Sequence, residues 1–222
     1  MNFSPLIISL KAGVLSTIIN LILGVYIAYL VSKMDRMKGV VDGILTLPLV
    51  LPPTVVGFFL LIIFGSNSIL GKFLLKFNKT IIFTQTATII ASTIVSFPLM
   101  YKVVRGAFEE LNKEILYVGR TLGLSEYNIF RKIIIPNIFS NIIAGAVLTF
   151  ARSLGEFGAT AMVAGNIPNK TQTMSLAVYS AVQSGNRELA YKWVLLMSFI
   201  SFIAILVINI FESKNKRGGL KF

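Results

Sequence analysis

Five long apolar runs alternate with short polar segments along the chain: Leu6 to Val31, Ile44 to Phe64, Ile81 to Tyr101, Ile138 to Val163 and Trp193 to Phe211. Each has about the 20 apolar residues that a helix needs to cross roughly 30 Å of hydrocarbon. A membrane barrel would instead show segments of about ten residues with alternating polarity, and that pattern is absent. The runs predict an all-α integral membrane bundle of five helices, a single domain over residues 6–212 with a basic tail at 213–222. The first run is too long for the core of a cleaved signal peptide and no small-residue cleavage site follows it, so it is expected to stay as a helix.

Between the third and fourth runs lies a polar island, Lys102 to Lys132, holding Glu109, Glu110, Lys113, Glu114, Arg120, Glu126, Arg131 and Lys132. Leu111 to Leu122 are mostly good helix formers, with Gly123 placed as a C-terminal stop. Ser125 can cap a second helix running from Glu126 to Pro136. Two short helices joined at Gly123-Leu124 would make an elbow at the membrane surface, a shape suited to a groove on another protein.

Three features disturb the apolar runs. Thr46-Leu47-Pro48-Leu49-Val50-Leu51-Pro52-Pro53 puts prolines where a straight helix needs backbone donors. This segment reads either as a bent, pore-lining or gating element or as a proline-initiated helix entering the membrane obliquely. Ser96-Phe97-Pro98 is expected to kink or end the third span. In the fourth span, Arg152 and Glu156 stand four residues apart, a spacing that puts both on one helical face. They read either as neighbours of a translocation path or as a structural ion pair, since ionisable groups at membrane depth face an interior or a wet route. Met174 to Val182 is too short to span and is expected as a re-entrant or surface segment on the outer side.

The net charge is +12, from 21 basic and 9 acidic residues. With the amino terminus outside, thirteen of the 21 basic residues fall on the inner side. That obeys the positive-inside rule and puts the island and the C-terminus in the cytoplasm. Anionic lipid accounts for such charge, and no nucleic-acid role is read from it. Cysteine and histidine are both absent, which removes disulfides, thiolate metal sites and the usual proton shuttle. There is no G-x-x-x-x-G-K-[ST] loop to hold ATP. An externally powered translocator is easier to build from these residues than an enzyme; the rival is a membrane enzyme or autonomous channel, which leaves the elbow without a purpose.

Tyr117-Val118-Gly119-Arg120-Thr121-Leu122-Gly123, then nine residues, then Ile133-Ile134-Ile135-Pro136, resembles the E-A-A-x-x-x-G-x9-I-x-L-P loop of ABC importer permeases. Tyr117 stands for the Glu, Val118 and Gly119 for the alanines, and Ile135 for the Leu. Leu47 to Gly57, Ser96 to Met100, Phe150 to Thr160 and Asn166-Ile167-Pro168 are similar, in order, to segments of molybdate permeases. The resemblance covers about residues 8–210. It implies a five-helix type I ABC importer (MetI-like) transmembrane bundle with a cytoplasmic coupling-helix loop, the permease of a molybdate, or tungstate, importer working by alternating access. Sulfate permeases carry a similar Leu-Gly-Glu-Phe-Gly run and supply the alternative substrate.

The implied partners are a second copy of the chain, two cytosolic ATPase subunits, an extracytoplasmic binding protein and membrane lipid. No cofactor is expected on this chain; ATP and Mg belong to the ATPase. By the same resemblance, Glu110, Tyr117, Val118, Gly119, Arg120, Thr121, Leu122, Gly123 and Pro136 are the expected coupling residues. Pro48, Pro52, Pro53, Thr54, Arg152, Ser153 and Glu156 are the expected neighbours of the path or its gate.

Overall fold

The computed structural model describes the backbone of residues 2–218 and the side chains up to Leu206 other than that of Lys113. Every regular element described is helical. Helix α1 (Ser4–Ser32) leads to a broken pair, α2 (Lys38–Val50) and α3 (Pro53–Phe64), and then a short helix, α4 (Ile69–Leu75). Helix α5 (Gln85–Glu110) follows, then α6 (Lys113–Thr121) and α7 (Glu126–Ile129). A π-turn at Phe130–Ile134 runs into α8 (Ile135–Leu154), which is followed by α9 (Gly158–Val163), α10 (Met174–Gln183) and α11 (Arg187–Gly218). Among the described residues, four stretches are long and apolar enough to cross a membrane, and the α2–α3 pair, bent by 109°, is so only when its two helices are taken together. The C-terminal residues 219–222, and the side chains of the basic tail as a whole, lie outside the described residues.

Helix α5 is the axis of the bundle, packed against α1, α2, α3, α8 and α9. Where it meets α1, the contact is made of small and polar side chains. The buried positions of α1 include Ser9, Ala12, Gly13, Ser16, Asn20, Gly24 and Ala28, a spacing of three to four residues that follows one helical face. In lipid, where no hydrophobic force drives helices together, such faces let backbones approach and hydrogen bonds form between helices. Met100 shows how close the approach is. A Cβ on Gly24 would lie 2.8 Å from its Cγ, and one on Gly145 2.8 Å from its Sδ, so this one side chain fills the space between α1, α5 and α8.

The same interface carries a buried polar chain. Asn20 Nδ2 donates to Ser96 Oγ (2.9 Å) and to the Thr93 carbonyl (3.0 Å), Ser153 Oγ donates to Ser96 Oγ (3.0 Å), and Ser16 and Ser153 are joined at 2.9 Å. Three spans are thereby tied where the alternative to a protein partner is an unmet hydrogen bond in hydrocarbon.

Several boundaries differ from the sequence expectation. Pro98 neither ends the third span nor stops α5, which continues to Glu110; buried Pro98 is tolerated because neighbouring helices shield the freed backbone. The first third of the polar island is therefore the end of a membrane helix. The fourth span stops at Leu154 rather than Val163. The elbow's second helix does not finish at Pro136. The chain passes through it as α8, because the turn before it widens to a π pattern in which Ile135 N–H bonds Phe130 O. That register accommodates a residue without a donor. Met174 to Val182 forms α10, packed on α1 and α11 with Met174, Leu176, Ala177 and Ala181 buried, so it is an integral part of the bundle. The last span begins at Arg187, six residues before Trp193.

Candidate functional site: an elbow and two broken spans

The elbow's joint at Gly123-Leu124 forms where the sequence places it, followed by the Ser125 cap. Asn112 caps α6 by accepting from Glu114 N–H (2.9 Å), and Ser125 caps α7 by accepting from Asn128 N–H (3.3 Å). Between them Gly123 takes φ +76°. Its N–H bonds Arg120 O (2.9 Å) and Leu124 N–H bonds Gly119 O (3.1 Å), the paired closure that needs a left-handed residue after the helix. Arg120 Nε then bridges to Glu126 Oε1 at 2.7 Å, spanning the joint. That hydrogen bond, reinforced by the carboxylate's charge, raises the guanidinium above its ordinary pKa. Gly119 faces the following turn closely: a Cβ there would sit 2.9 Å from Ile133 Cδ1, the mobile end of that side chain.

The face turned away from the bundle is apolar. Tyr117, Val118, Leu122 and Tyr127 are 58–74% exposed, whereas Ile129 and Ile134 are buried beneath. Thr121 Oγ1 donates to the Tyr117 carbonyl within α6. Glu110 closes α5 and is exposed, and Pro136 is exposed in the first turn of α8. Of the predicted coupling residues, Tyr117 to Gly123 therefore share one small element. Glu110 and Pro136 flank it as the ends of the two membrane helices it joins.

Much of the island's charge is spent inward. Arg105 is within 2.5 Å of Asp42 and 3.4 Å of Glu109, and Lys38 lies 2.8 Å from Glu109. This network ties the start of α2 to the end of α5, and the sequence reading missed it. The available signal was Asp42 itself, an acid at the edge of an apolar run with a basic helix end to meet.

The two broken spans meet within the bundle. Leu51 and Pro52 are extended (ψ 141° and 134°), as residues before proline prefer, and Pro53 begins α3 where its missing donor costs nothing. The chain bends here by 109° and α3 is itself initiated by Pro53, so features of both expectations, the bent element and the proline-initiated helix, are present. In the other span, Glu156 stands past the end of α8, so the pair with Arg152 does not lie on one continuous helix. It forms nonetheless: Arg152 Nη1 reaches Glu156 Oε2 at 2.9 Å, and Glu156 Oε1 accepts from Ala159 N–H at 2.8 Å. One buried carboxylate thus holds the C-terminal turn of α8 and the N-terminal turn of α9, the charge at each end being the one the helix dipole favours. Gly158 touches the other break. A Cβ there would lie 3.0 Å from Pro53 Cβ and 3.1 Å from Thr54 N. Pro53, Thr54, Arg152 and Glu156 are thereby gathered around one junction. Pro48 lies a turn or so before the bend in α2. Ser153 points into the polar chain with Ser16 and Ser96.

The comparisons with known proteins fit this geometry. A family model described as the binding-protein-dependent transport system inner membrane component matches residues 20–217. The chain belongs to that family. It is therefore a multi-pass membrane permease of a transport system. Among relatives, the permease protein YvgM of Bacillus subtilis (strain 168) is 39% identical over 209 residues, covering 93% of this chain and 92% of that one. The molybdenum transport system permease protein ModB of Haemophilus influenzae is 36% identical over 210 residues (93% and 92%). The sulfate transport system permease protein CysT of Salmonella typhimurium is more distant, 31% identical over 209 residues (93% and 75%). Among solved structures, the MetNI methionine ABC transporter in its inward-facing form superposes with a TM-score of 0.73 at 16% identity, covering 94% of each chain. A bacterial alginate ABC transporter gives 0.75 at 14%, covering 93% of this chain and 76% of that one. At these identities the likeness is one of fold, that of type I ABC importer transmembrane domains.

Proposed function

We propose that the chain is the permease of an ATP-driven molybdate importer that works as a homodimer, with two cytosolic ATPase subunits on its elbows and an extracytoplasmic binding protein on the opposite face. The observation that carries the substrate is near-full-length identity of 36% to ModB permeases, against 31% to the sulfate permease over a smaller share of that protein. Tungstate, an oxyanion of the same shape and charge, belongs to the same reading. The elbow supports the ATPase contact: a capped, glycine-closed pair of helices whose outer face is apolar and unpartnered, joined rigidly to α5 and α8. ATP and Mg sit on the ATPase, with the amino terminus outside and the elbow and C-terminus in the cytoplasm.

In this reading, closure of the ATPases moves the elbow, and α5 and α8 carry the movement to the junction of broken spans. A dianion crossing a low-dielectric layer needs dipoles or water along its route. Interrupted helices provide them, since their ends expose unpaired backbone groups at membrane depth. Thr54 and the N-terminus of α3 lie there, with Arg152, about one-third exposed, as the nearby cation. Glu156 and Ser153 hold the junction in shape, and Pro48, Pro52 and Pro53 keep it open.

The test is uptake of labelled molybdate into proteoliposomes holding the permease, its ATPase and its binding protein, with sulfate as competitor. A hundredfold excess of sulfate is expected to leave uptake nearly unchanged. Displacement by sulfate at parity would move the assignment to the sulfate permeases.

A further inference from the structure

We propose that the groove between α1 and α8 is a binding site for an anionic phospholipid, whose acyl chain lies in the groove and whose phosphate is held by Lys33, Arg131 and Lys132. The groove has a volume of about 540 Å³ and is walled by hydrocarbon, among it Val25, Tyr26, Phe130, Ile135, Phe139 and Ala146. It opens sideways on two helices that cross the membrane, so its natural occupant is a lipid chain.

Phe130 of the groove wall belongs to an aromatic stack. Phe130 packs edge-on against Tyr29 (centroids 4.8 Å apart), and Lys33 Nζ lies 4.1 Å from the Tyr29 ring centre while donating to its hydroxyl. An ammonium is therefore stationed one ring beyond the groove wall. Arg131 and Lys132 follow Phe130 directly on the π-turn, and both are exposed.

Charge pairing divides the cations at this end of the bundle. Lys38, Arg105 and Arg120 each have a carboxylate within 4 Å. Among the described residues, Lys33, Arg36, Lys102, Arg131 and Lys132 have none, and of these Lys33 meets the Tyr29–Phe130 stack while Arg131 and Lys132 adjoin Phe130 in the chain. The acids around Lys33 include Glu109, which pairs with Lys38 and Arg105. Glu126 is bridged to Arg120, and Asp35 is exposed in a neighbouring cleft of about 710 Å³ that Lys33 also borders. An apolar channel beside unneutralised cations between transmembrane helices is the arrangement that binds acidic lipid headgroups. Its placement matters because Phe130 and Ile134, in the same π-turn, lie at the root of the elbow. A lipid seated here would steady the joint through which the elbow moves α8. Only that consequence, and the leaflet concerned, rest on the permease reading above.

The experiment is native mass spectrometry of the purified full chain in detergent, titrated with phosphatidylglycerol and with phosphatidylcholine. We expect phosphatidylglycerol to be retained at least tenfold more tightly. The exposed-site variant K132Q should lower that preference severalfold, and K33Q/R131Q/K132Q should abolish it. The groove-filling Ala146→Phe should weaken both lipids. Equal retention of the two lipids by the wild-type chain overturns the site. So does an unchanged preference in K132Q and the triple variant with the melting temperature preserved. The readout needs no transport, so a chain that binds the lipid but fails to import molybdate would refute the proposed substrate and leave this site standing.

Discussion

The two breaks in the membrane spans are built in opposite ways. Between α2 and α3 the break is covalent. Two successive prolines remove donors and force extended backbone, and no side chain is required to hold the bend. Between α8 and α9 nothing in the backbone chemistry forbids a helix, since Gly155, Glu156 and Phe157 could all continue one. There the interruption is held by one carboxylate, 1% exposed, whose two oxygens are shared between Arg152 and Ala159. The first break is permanent, whereas the second depends on a charge and its partners.

The contrast is easiest to break at Glu156. Glu156→Ala leaves a buried N–H and a half-buried guanidinium without a partner and should cost about 3 kcal/mol. A fall of the melting temperature in detergent would register it, and a melting temperature within a degree of wild type would remove the clamp from the account. Gly57→Val comes next. Its Cβ would sit 2.9 Å from Ala159 Cα, a backbone atom that cannot swing aside, and about 2 kcal/mol of overpacking is expected. Because the strain falls between α3 and α9, uptake should be lost even where the protein still folds.

Ser153→Ala removes one link of the buried chain to Ser16 and Ser96, for about 1 kcal/mol, with transport largely kept. Pro52→Ala together with Pro53→Ala should change the melting temperature little and reduce uptake clearly. Donors return, and the bend loses its enforcement. Arg120→Gln belongs at the bottom of the order, since the pair with Glu126 is solvent-exposed and such pairs contribute little. Thermal unfolding of the five variants side by side gives the ranking directly.

The same contrast explains what could be read from the sequence. Hydrophobic length located four membrane-long helices and the bent α2–α3 pair. The elbow was legible at Gly123 and Ser125, because they act on backbone within a few residues of themselves, whereas the Asn112 cap went unread. The prolines, which also act locally, announced an irregular second span, but left the bent element and the proline-initiated oblique helix equally open. The stop at Leu154 was not legible, because Arg152 and Glu156 obey helical spacing and only the bond to Ala159 N–H shows that the helix has ended. The passage of α8 through Pro136 was hidden by a π-turn that proline alone does not announce. The polar chain of Asn20, Ser96, Ser153 and Ser16 joins residues as far as 137 positions apart, beyond the reach of periodicity. Its trace was the run of small residues along α1, which hydrophobic length passes over. Most of the junction's chemistry is of this long-range kind, while the elbow's is local.

The central claim is that force enters at the elbow, and a single cross-link tests it. Val118, 58% exposed on the apolar face, replaced by cysteine in this cysteine-free chain, gives one attachment point on the elbow. With the partner ATPase carrying a single cysteine in its docking groove, oxidation of the assembled complex should yield a permease–ATPase adduct. The same substitution combined with Gly123→Val, which opposes φ +76° and distorts the joint, should reduce the adduct at least tenfold. An adduct formed equally well with the joint disrupted, or none from an intact complex that hydrolyses ATP, would contradict the account.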